Sequence, residues 1–506
     1  MRYSLFHVER DKATTLQSQI REMLVSAMLA GQLPAKAPVP STRAMAGRLG
    51  VSRNTVMLAY QALATDGFLV SRERSGFYVA EDVRLAFPAS PTARQASANS
   101  NAKAQTQHAE VDWEARFRLA PSRQPNITKP ENWHDYKYPF IYGQVDSDLF
   151  PIGAWRDCMR QSMSLKWLDA WTDDRFAADD PMLVEQIRQR VLPRRGVMAQ
   201  PDELLVTMGA QNALFLLNHL FVRDGARVAV EDPGYPDMRN MFALRGAELR
   251  PIPVDSSGMQ VSALTDESLA FVTPSHQFPT SVTMTLDRRR ELLDWAERAD
   301  ALIIEDDYEY EANYRGEPTP ALKSLDQAGR VMHVGSLSKS MMPGLRMGFV
   351  VAPAPVIAEL RAMRRLMLRH PPGNNQRVVA LFLAQGGHDA LIKRLHKVYL
   401  RRWEAMNLAL ADHFPGWSRS PAFGGSSFWL QGPDGFDARQ LAADVEQYGV
   451  LIEPGDIFWS DPSSHASSFR LGFSSIPEDR IGEGISLLAR AAQKQLDQLR
   501  ITAEAS

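Results

Sequence analysis

One lysine lies in a setting that suits covalent chemistry with an aldehyde. The segment Gly335-Ser336-Leu337-Ser338-Lys339 follows an apolar run, and Arg346 comes seven residues after the lysine. An amine placed there can form a Schiff base with an aldehyde cofactor. Ser336, Ser338 and Arg346 could bind a phosphate, because arginine offers a two-pronged charged contact. Taken alone, the motif is also typical of a surface lysine in a polar loop.

Carboxylates and a phenol follow a second apolar run, at residues 302–304, where Asp306, Asp307 and Tyr308 stand together. A carboxylate next to a pyridine nitrogen keeps that nitrogen protonated, so the ring can withdraw electrons. A phenol can donate a hydrogen bond to an oxygen on the same ring. Alternatively, the two aspartates are loop acids or metal ligands, but the sequence offers no His/Asp cluster that would support a metal site.

Two further segments place polar or aromatic groups directly after apolar strands. Gly209-Ala210-Gln211 follows the run at 204–207 and begins a helical pattern, whose first backbone N–H groups would suit a phosphate. Tyr235 follows Glu231-Asp232-Pro233-Gly234, where its ring could stack on a pyridine. Ordinary helix capping and a packed turn would give the same two patterns.

An arginine interrupts the apolar run Phe469-Arg470-Leu471-Gly472-Phe473. A buried guanidinium needs a partner of opposite charge. The carboxylate of a ligand would supply that partner, and so would an Asp or Glu of the chain itself.

The elements that position these groups alternate along the chain. Helical patterns at 211–222 and 287–299 are interleaved with short apolar strands at 227–230, 271–273, 302–304, 331–334 and 347–351. Such alternation predicts an α/β fold with a mostly parallel sheet. Ligands bind at the carboxyl ends of such strands, where the polar segments lie.

The first 80 residues follow a different pattern. One helical face from Leu16 to Met28 precedes a helix that starts at Ser41 or Thr42 and ends at Gly50. A further helix opens at Ser52 and stops at Gly67, and a hairpin of strands 68–70 and 77–79 follows. This order predicts a winged helix-turn-helix that binds double-stranded DNA. Ten Lys/Arg against five Asp/Glu leave this region a net charge of +5 (10 − 5), which suits phosphate contacts.

The last of these helices would enter the major groove with its N-terminus. Arg53 there can bind guanine, Asn54 can bind adenine, and the wing arginines can contact phosphate. Alternatively, Arg53 lies on a solvated face and Asn54 caps the helix. The candidate DNA contacts are Ser41, Thr42, Arg43, Ser52, Arg53, Asn54, Thr55, Arg72 and Arg74.

Length and composition bound the remaining choices. A chain of 506 residues exceeds one compact core, and we expect a DNA-binding domain at 1–82, a flexible linker at 83–134 and a ligand-binding domain at 135–506. Cys158 is the single cysteine, so no internal disulfide can form. A signal peptide and an apolar run of roughly 20 residues are lacking, which predicts a cytoplasmic protein that does not bind membranes.

Residues 14–80 resemble the GntR superfamily of winged-helix regulators, through Pro-Ser-Thr-Arg at 40–43 and Leu-Gly-Val-Ser-Arg-Asn-Thr-Val at 49–56. The segments between 135 and 495 resemble the fold-type I aminotransferases, which depend on pyridoxal 5′-phosphate (PLP). Together they resemble the MocR/GabR regulators, whose own sequences are close to residues 273–280 and 305–308. The resemblance implies an α+β winged helix-turn-helix, then an α/β aminotransferase fold with a smaller C-terminal α+β subdomain.

The resemblance also implies roles for individual residues. Lys339 would carry PLP as a Schiff base, Asp306 would face the ring nitrogen and Tyr308 the 3-oxygen. Tyr235 would stack on the ring, and an acidic group of an effector would bind Arg470. The phosphate would be held by Gly209, Ala210, Gln211, Ser336, Ser338 and Arg346, and His276 and Gln277 would line the effector pocket. Such proteins form head-to-tail, domain-swapped homodimers.

Three functions are therefore open. The leading one is a transcriptional regulator in which a small amino compound, an amino acid or related amine with an acidic group, displaces Lys339 from PLP. The others are a working aminotransferase with an accessory DNA-binding domain, and a DNA-binding dimer that no longer binds PLP. The chain departs from the family at Ser281, where glycine is usual, and at Trp171-Thr172-Asp173-Asp174-Arg175-Phe176, where a Tyr-Gly pair is common.

Overall fold

A computed structural model of the protein describes residues 7–10, 14–72, 75–81, 111–141, 143, 145–314, 319–418 and 424–504. Arg74 and residues 83–110 of the expected linker lie outside these. The chain divides into two compact units, Met1–Trp113 and Glu114–Ser506. The second unit begins before the boundary expected at residue 135. The reason is that Gln124 Nε2 donates to the carbonyl oxygen of Asn240 at 3.1 Å, and Asn240 Nδ2 donates to that of Pro125 at 2.8 Å.

The first unit is a three-helix domain with a hairpin. Its elements are α1 (Leu16–Leu29), α2 (Thr42–Leu49), α3 (Arg53–Thr65), β1 (Leu69–Arg72) and β2 (Gly76–Val79), with β1 and β2 antiparallel. Ser41 caps α2 by accepting from the backbone N of Ala44 at 3.2 Å, and Ser52 caps α3 by accepting from that of Thr55 at 3.0 Å. Gly50 ends α2 in the left-handed region, at φ 64°. The core includes Ile20, Leu24, Met45, Val56, Tyr60 and Leu63.

The second unit is built around one large sheet. Its strands and those of the C-terminal part are β3 (Tyr138–Pro139), β4 (Leu204–Thr207), β5 (Arg227–Asp232), β6 (Glu248–Asp255), β7 (Gly258–Met259), β8 (Leu269–Val272), β9 (Leu302–Asp307), β10 (Val331–Ser336), β11 (Gly348–Val351), β12 (Ser427–Gln431), β13 (Val450–Leu451), β14 (Glu453–Pro454) and β15 (Ser468–Gly472). The eight-stranded sheet has the order β4-β11-β10-β9-β8-β5-β6-β7. Strands β6, β5, β8, β9 and β10 pair in parallel, whereas β11 and β7 run antiparallel to their neighbours.

Helices cover both faces of this sheet. They are α4 (Ile152–Ser162), α5 (Asp169–Thr172), α6 (Pro181–Gln186), α7 (Gly209–Phe221), α8 (Pro236–Leu244), α9 (Leu286–Arg298), α10 (Leu322–Leu325), α11 (Ala354–Leu368), α12 (Gly373–Ala384), α13 (Gly387–His413), α14 (Ala438–Glu446) and α15 (Glu478–Glu504). Leu217 of α7 and Leu292 of α9 are buried in two different apolar clusters with strand residues. The nearly unbroken apolar strands follow from burial on both faces.

A smaller C-terminal part is α+β. Strands β12, β15 and β14 form a three-stranded antiparallel sheet, and Trp403 of α13 and Ile485 of α15 pack into the same cluster as Phe428 and Leu471. The expected architecture is therefore present. Among the helices described, none has both the length and the apolar character needed to cross a membrane.

Candidate cofactor site and nucleic-acid interface

A cavity of about 310 Å³ lies at the carboxyl ends of the parallel strands. Strands β9 and β10 each deliver residues to it, as do the residues that follow β4, β5 and β8. All ten residues expected to bind the cofactor line this cavity: Gly209, Ala210, Gln211, Tyr235, Asp306, Tyr308, Ser336, Ser338, Lys339 and Arg346. Segments that are far apart in sequence thus converge on one site.

Lys339 follows the end of β10 and is largely enclosed. Burial lowers the pKa of its ammonium group to about 8, since the charged form loses solvation, while Glu309 acts in the opposite direction. Gly143 comes so close that a Cβ there would lie 3.0 Å from Nζ. The neutral amine, which is the form that attacks an aldehyde, is therefore accessible near neutral pH.

Asp306, at the end of β9, is buried beside Asp307. Burial raises the pKa of its carboxyl to about 7, and the charge of Asp307 raises it further. Among the residues that the structure describes, Oδ1 of Asp306 has no hydrogen-bond partner. A buried carboxylate oxygen without a partner is costly, so a protonated ring nitrogen would fit it.

The opposite end of the cavity is shaped for an anion. Gly209 begins the 13-residue helix α7 at φ 75°, and a Cβ on it would lie 3.0 Å from Arg346 Nη2. Arg346 Nη2 donates to the carbonyl oxygen of Met208 at 3.3 Å, which holds the guanidinium beside the helix N-terminus. A phosphate fits here, because the first backbone N–H groups and the guanidinium face the same space.

The remaining cofactor candidates are tied into local hydrogen bonds. The Tyr235 hydroxyl lies 2.8 Å from Gln211 Oε1, and the Tyr308 hydroxyl donates to the carbonyl oxygen of His276 at 2.8 Å. Burial raises the pKa of both phenols well above its usual value, so both keep their protons. Ser338 Oγ accepts from the backbone N of Met347 at 3.0 Å, so it also fixes the loop that carries Lys339.

These features fit PLP. When bound, this cofactor supplies an aldehyde carbon that an amine can attack and a ring that withdraws electrons. Lys339 would hold the aldehyde end, Asp306 the ring nitrogen, and the N-terminus of α7 with Arg346 the phosphate.

Arg470 lines the cavity, but it already has a carboxylate partner. Its Nε donates to Glu453 Oε2 at 2.8 Å across the antiparallel pair of β15 and β14. Its guanidinium carbon lies 4.4 Å from the ring centroid of Phe278 and 4.7 Å from that of Phe458. The sequence allowed two partners for this guanidinium, a ligand carboxylate or an acidic residue of the chain. The structure shows the second, Glu453, so the guanidinium is held in position without a ligand.

His276 and Gln277 do not line this cavity, in contrast to the expectation. Gln277 Nε2 donates to the carbonyl oxygens of Pro233 and Phe278, at 2.8 and 2.7 Å, so its amide braces the surrounding loop. The His276 ring is buried and lines a separate small pocket, and burial lowers its pKa to about 4, which keeps it neutral. Its contribution to the cofactor cavity is the backbone carbonyl oxygen that accepts from Tyr308.

Sequence reasoning missed several residues of the cavity. Lys129 and Ile127 come from the segment that was expected to be linker, and Glu453 and Phe278 contact Arg470. The buried pairing of Glu453 with Arg470 follows from strand register, which one sequence does not reveal. The signal for Lys129 was weak, since an isolated lysine in a polar segment is usually solvated.

The departures from the family also have a structural account. Ser281, where glycine is usual, adopts φ 59° in the left-handed region, and its Oγ donates to the carbonyl oxygen of Ser427 at 3.1 Å. Within the segment at 171–176, Asp174 pairs with Arg369, and the guanidinium carbon of Arg365 lies 4.4 Å from the Phe176 ring centroid. This segment therefore packs on α11.

The first unit presents a separate set of polar residues at the N-terminal ends of α2 and α3. Arg43, Arg53 and Asn54 are exposed there, whereas Thr42 is buried and accepts from Arg53 Nε at 3.3 Å. Ser41, Ser52 and Thr55 are used in capping interactions. On the wing, Arg72 is exposed and its guanidinium carbon lies 4.4 Å from the Tyr78 ring centroid.

Comparison with known proteins gives two family matches. Residues 16–79 match the family "Bacterial regulatory proteins, gntR family", and residues 178–488 match "Aminotransferase class I and II". The chain is 42% identical to the HTH-type transcriptional regulator TauR of Rhodobacter capsulatus, over 94% of this chain and 96% of the relative. It is 30% identical to the probable rhizopine catabolism regulatory protein MocR of Rhizobium meliloti, over 96% and 95%. The chain belongs to the MocR/GabR family of transcriptional regulators.

Solved structures of aminotransferases are similar to the larger unit of this MocR/GabR-type regulator. The kynurenine aminotransferase of Pyrococcus horikoshii, in complex with PMP, superposes with a TM-score of 0.69 at 26% identity, over 78% of this chain and 99% of that one. LysN of Thermus thermophilus, complexed with N-(5′-phosphopyridoxyl)-L-leucine, gives 0.69 at 25% identity, over 77% and 100%. The winged helix, the aminotransferase fold and PLP as the cofactor are thus confirmed.

Proposed function

We propose that this regulator senses a small amino compound that carries an acidic group, by letting the amine of that compound take the place of Lys339 on PLP. The observation that carries the proposal is the convergence of Lys339, Asp306, the α7 N-terminus and Arg470 on one cavity. Binding in that cavity would favour one arrangement of the two domains and so change the affinity for an operator.

The acidic group of the effector would bind at Arg470. Since Arg470 is already paired with Glu453, a second anion would have to be offset by another cation. Lys129 lines the same cavity, and its charge interacts with that of Glu453. The set of Arg470, Glu453 and Lys129 carries a net charge of +1, which suits a single acidic group.

This part of the proposal has its own test. Replacing Arg470 and Glu453 together, by methionine and glutamine, removes the pair without leaving one charge buried alone. The double variant should keep the visible absorbance of the PLP–lysine link and bind an acidic amino compound at least about tenfold more weakly. It should bind the matching amine without an acidic group as the wild type does. Equal binding of the acidic compound by both proteins would refute the assignment.

We further propose a head-to-tail, domain-swapped homodimer located in the cytoplasm. The family supports this proposal, and so do large exposed apolar side chains on the second unit, such as Leu165 and Leu366, each 89% exposed. Light scattering should give the mass of two chains. If the protein elutes as a monomer at micromolar concentration, the dimer is excluded.

The central experiment compares absorbance spectra of the wild type and Lys339→Ala, each supplied with PLP. The wild type should show a visible band that Lys339→Ala lacks, and the band should shift on titration with one class in a panel of α- and ω-amino acids and simple amines. A wild type without such a band, even after adding PLP, would contradict the proposal.

A working aminotransferase remains the second candidate, since every expected cofactor residue lines the cavity and the lowered pKa of Lys339 also suits proton transfer. Steady formation of an oxo acid from a panel compound, with an oxo acid as acceptor, would favour the enzyme. We expect no sustained turnover.

A further inference from the structure

Lys339 lines two cavities. One is the cofactor cavity, and the other is a small space of about 30 Å³. Besides the lysine, the small cavity is lined by the carboxylates Glu309 and Glu311, by Ser340, His396 and Tyr399, and by apolar side chains. Its volume is sufficient for about one water-sized group. The small cavity could therefore accommodate the amine of Lys339 outside the cofactor cavity.

Four charged groups interact electrostatically with Lys339, namely Glu309, Arg470, Asp306 and Glu453. They differ in the other interactions that they make. Asp306 faces the ring nitrogen site, and Glu453 accepts from Arg470. Glu309 lines the small cavity, and of these four groups it has the largest electrostatic effect on the lysine. Glu309 contacts Ser426 and interacts electrostatically with Lys339 and Arg470. It also interacts electrostatically with three tyrosines, Tyr308, Tyr314 and Tyr399.

We propose that Glu309 and the small cavity receive the side chain of Lys339 when an amine replaces it on the cofactor. The proposal rests on the proposed function above. In the exchange, a bond forms between the incoming nitrogen and the aldehyde carbon of PLP, and the bond from that carbon to Nζ breaks. As the protonated link to Lys339 is exchanged for a protonated link to the amine, the incoming ammonium gives up two protons and the released lysine nitrogen takes up two, so no oxidant or reductant is needed. Glu309 thereby acts as a positioning residue that stabilises the displaced state.

The test uses pyridoxamine 5′-phosphate, a probe that occupies the cofactor site without a bond to lysine. Lys339 has no covalent bond to the cofactor in the cofactor-free protein or with this probe, but it is bonded to PLP. The ratio of the two dissociation constants, pyridoxamine 5′-phosphate over PLP, therefore reports the stability of the state in which that bond is absent. In the full-length Glu309→Gln variant this ratio should rise about tenfold or more, as expected for a lost hydrogen bond to a charged group.

Two variants serve as controls. Glu309→Asp keeps the charge, so its ratio should stay within about threefold of the wild type. Glu311→Gln removes a neighbouring carboxyl of the same cavity and should change the ratio less than Glu309→Gln does. A purely structural role for Glu309 would change both affinities by the same factor, and an unchanged ratio in Glu309→Gln overturns the proposal. A ratio that responds more to Glu311→Gln than to Glu309→Gln also overturns it.

The ratio does not depend on any effector. If no panel compound shifts the wild-type spectrum, the proposed sensing function falls, but the ratio still decides the role of Glu309. If a panel compound does bind, Glu309→Gln should weaken it by the same factor whether or not the compound carries an acidic group. A loss confined to acidic compounds would place Glu309 in effector recognition and contradict its assigned role.

Discussion

At the scale of single residues, Asp306 is the group proposed to hold the ring nitrogen of PLP. Burial raises the pKa of its carboxyl to about 7 in the cofactor-free protein, and a protonated ring nitrogen beside it would lower that pKa. Binding therefore releases a proton from Asp306 below pH 7, so the contribution of Asp306 to PLP affinity should rise with pH up to about 7 and then level off.

Asp306→Asn should remove this dependence and weaken PLP at pH 8 by about ten- to a hundredfold, the range for a hydrogen bond to a charged group. Absorbance titrations of the cofactor-free protein between pH 6 and 8.5 give the measurement. Asp266→Asn, an exposed aspartate paired with Arg227, is the control and should behave as the wild type. Burial also raises the pKa of Glu231 to about 7 and lowers that of Lys339 to about 8, so a retained slope in Asp306→Asn would assign the effect to one of these groups instead.

The sequence was sufficient to assign to the site those residues whose motif has a specific chemical role. It was not sufficient for residues whose role depends on a partner that is distant in the sequence. Lys339, Asp306 and Arg346 lie at or near strand ends and reach the cavity as expected. His276 and Gln277 have the right chemistry for a ligand, but the Gln277 amide donates to loop carbonyl oxygens and the His276 ring lines a different small pocket. The Glu453–Arg470 pair needs strand register, which depends on contacts far apart in sequence.

At the scale of elements, the N-terminus of α7 is the part that should respond most clearly to one added methyl group. Gly209→Ala and Gly225→Ala both place alanine at positive φ, 75° and 70°, so each should cost about 1 kcal/mol of stability. Only at Gly209 does the new Cβ meet Arg346, at 3.0 Å, since a Cβ at Gly225 has no neighbour within 4 Å.

We therefore expect similar melting temperatures for the two variants, but PLP binding weakened about tenfold in Gly209→Ala alone. Thermal melts and PLP titrations on the same preparations separate the two effects. Equal PLP affinities would show that the phosphate does not use this helix end.

Helix α3, the expected recognition helix, allows a second comparison, between its N-terminal and C-terminal ends. Arg53 is exposed at the N-terminus, whereas Arg21 of α1 pairs with Asp66 at the C-terminal cap of α3, at 2.6 Å. On a duplex selected by the protein from a random library, Arg53→Ala should weaken binding by about 1–3 kcal/mol and relax the preference at one base pair. Arg21→Ala should change fluorescence anisotropy titrations little. The reverse order would place the opposite end of α3 on DNA.

Elements themselves were more predictable than their ends. The helix expected to open at Gly209 does so and ends at Phe221, whereas the strand expected at 302–304 continues to Asp307. That extension carries Asp306, a site residue whose polar character hid the end of the strand from an apolar pattern. The left-handed turn at Ser281 shows the same limit, because a serine gives no local sign that it will adopt a conformation favoured by glycine.

At the scale of the whole molecule, the two units have separate apolar cores, so they should unfold in two calorimetric transitions. PLP at a hundred times its dissociation constant should stabilise the larger unit by about 2.7 kcal/mol. PLP should leave the transition temperature of the smaller unit unchanged, whereas a selected DNA duplex should raise it. Lys339→Ala should reduce the shift caused by PLP.

Sensing requires a coupling free energy between the two sites, about 1–3 kcal/mol in typical allosteric proteins. It would appear as a further shift of the DNA-stabilised transition when an effector joins PLP. Two transitions that respond to their own ligands but never to each other's would leave a protein that binds DNA and PLP independently. In that case the displaced Lys339 would serve catalysis, and the second candidate function would replace the first.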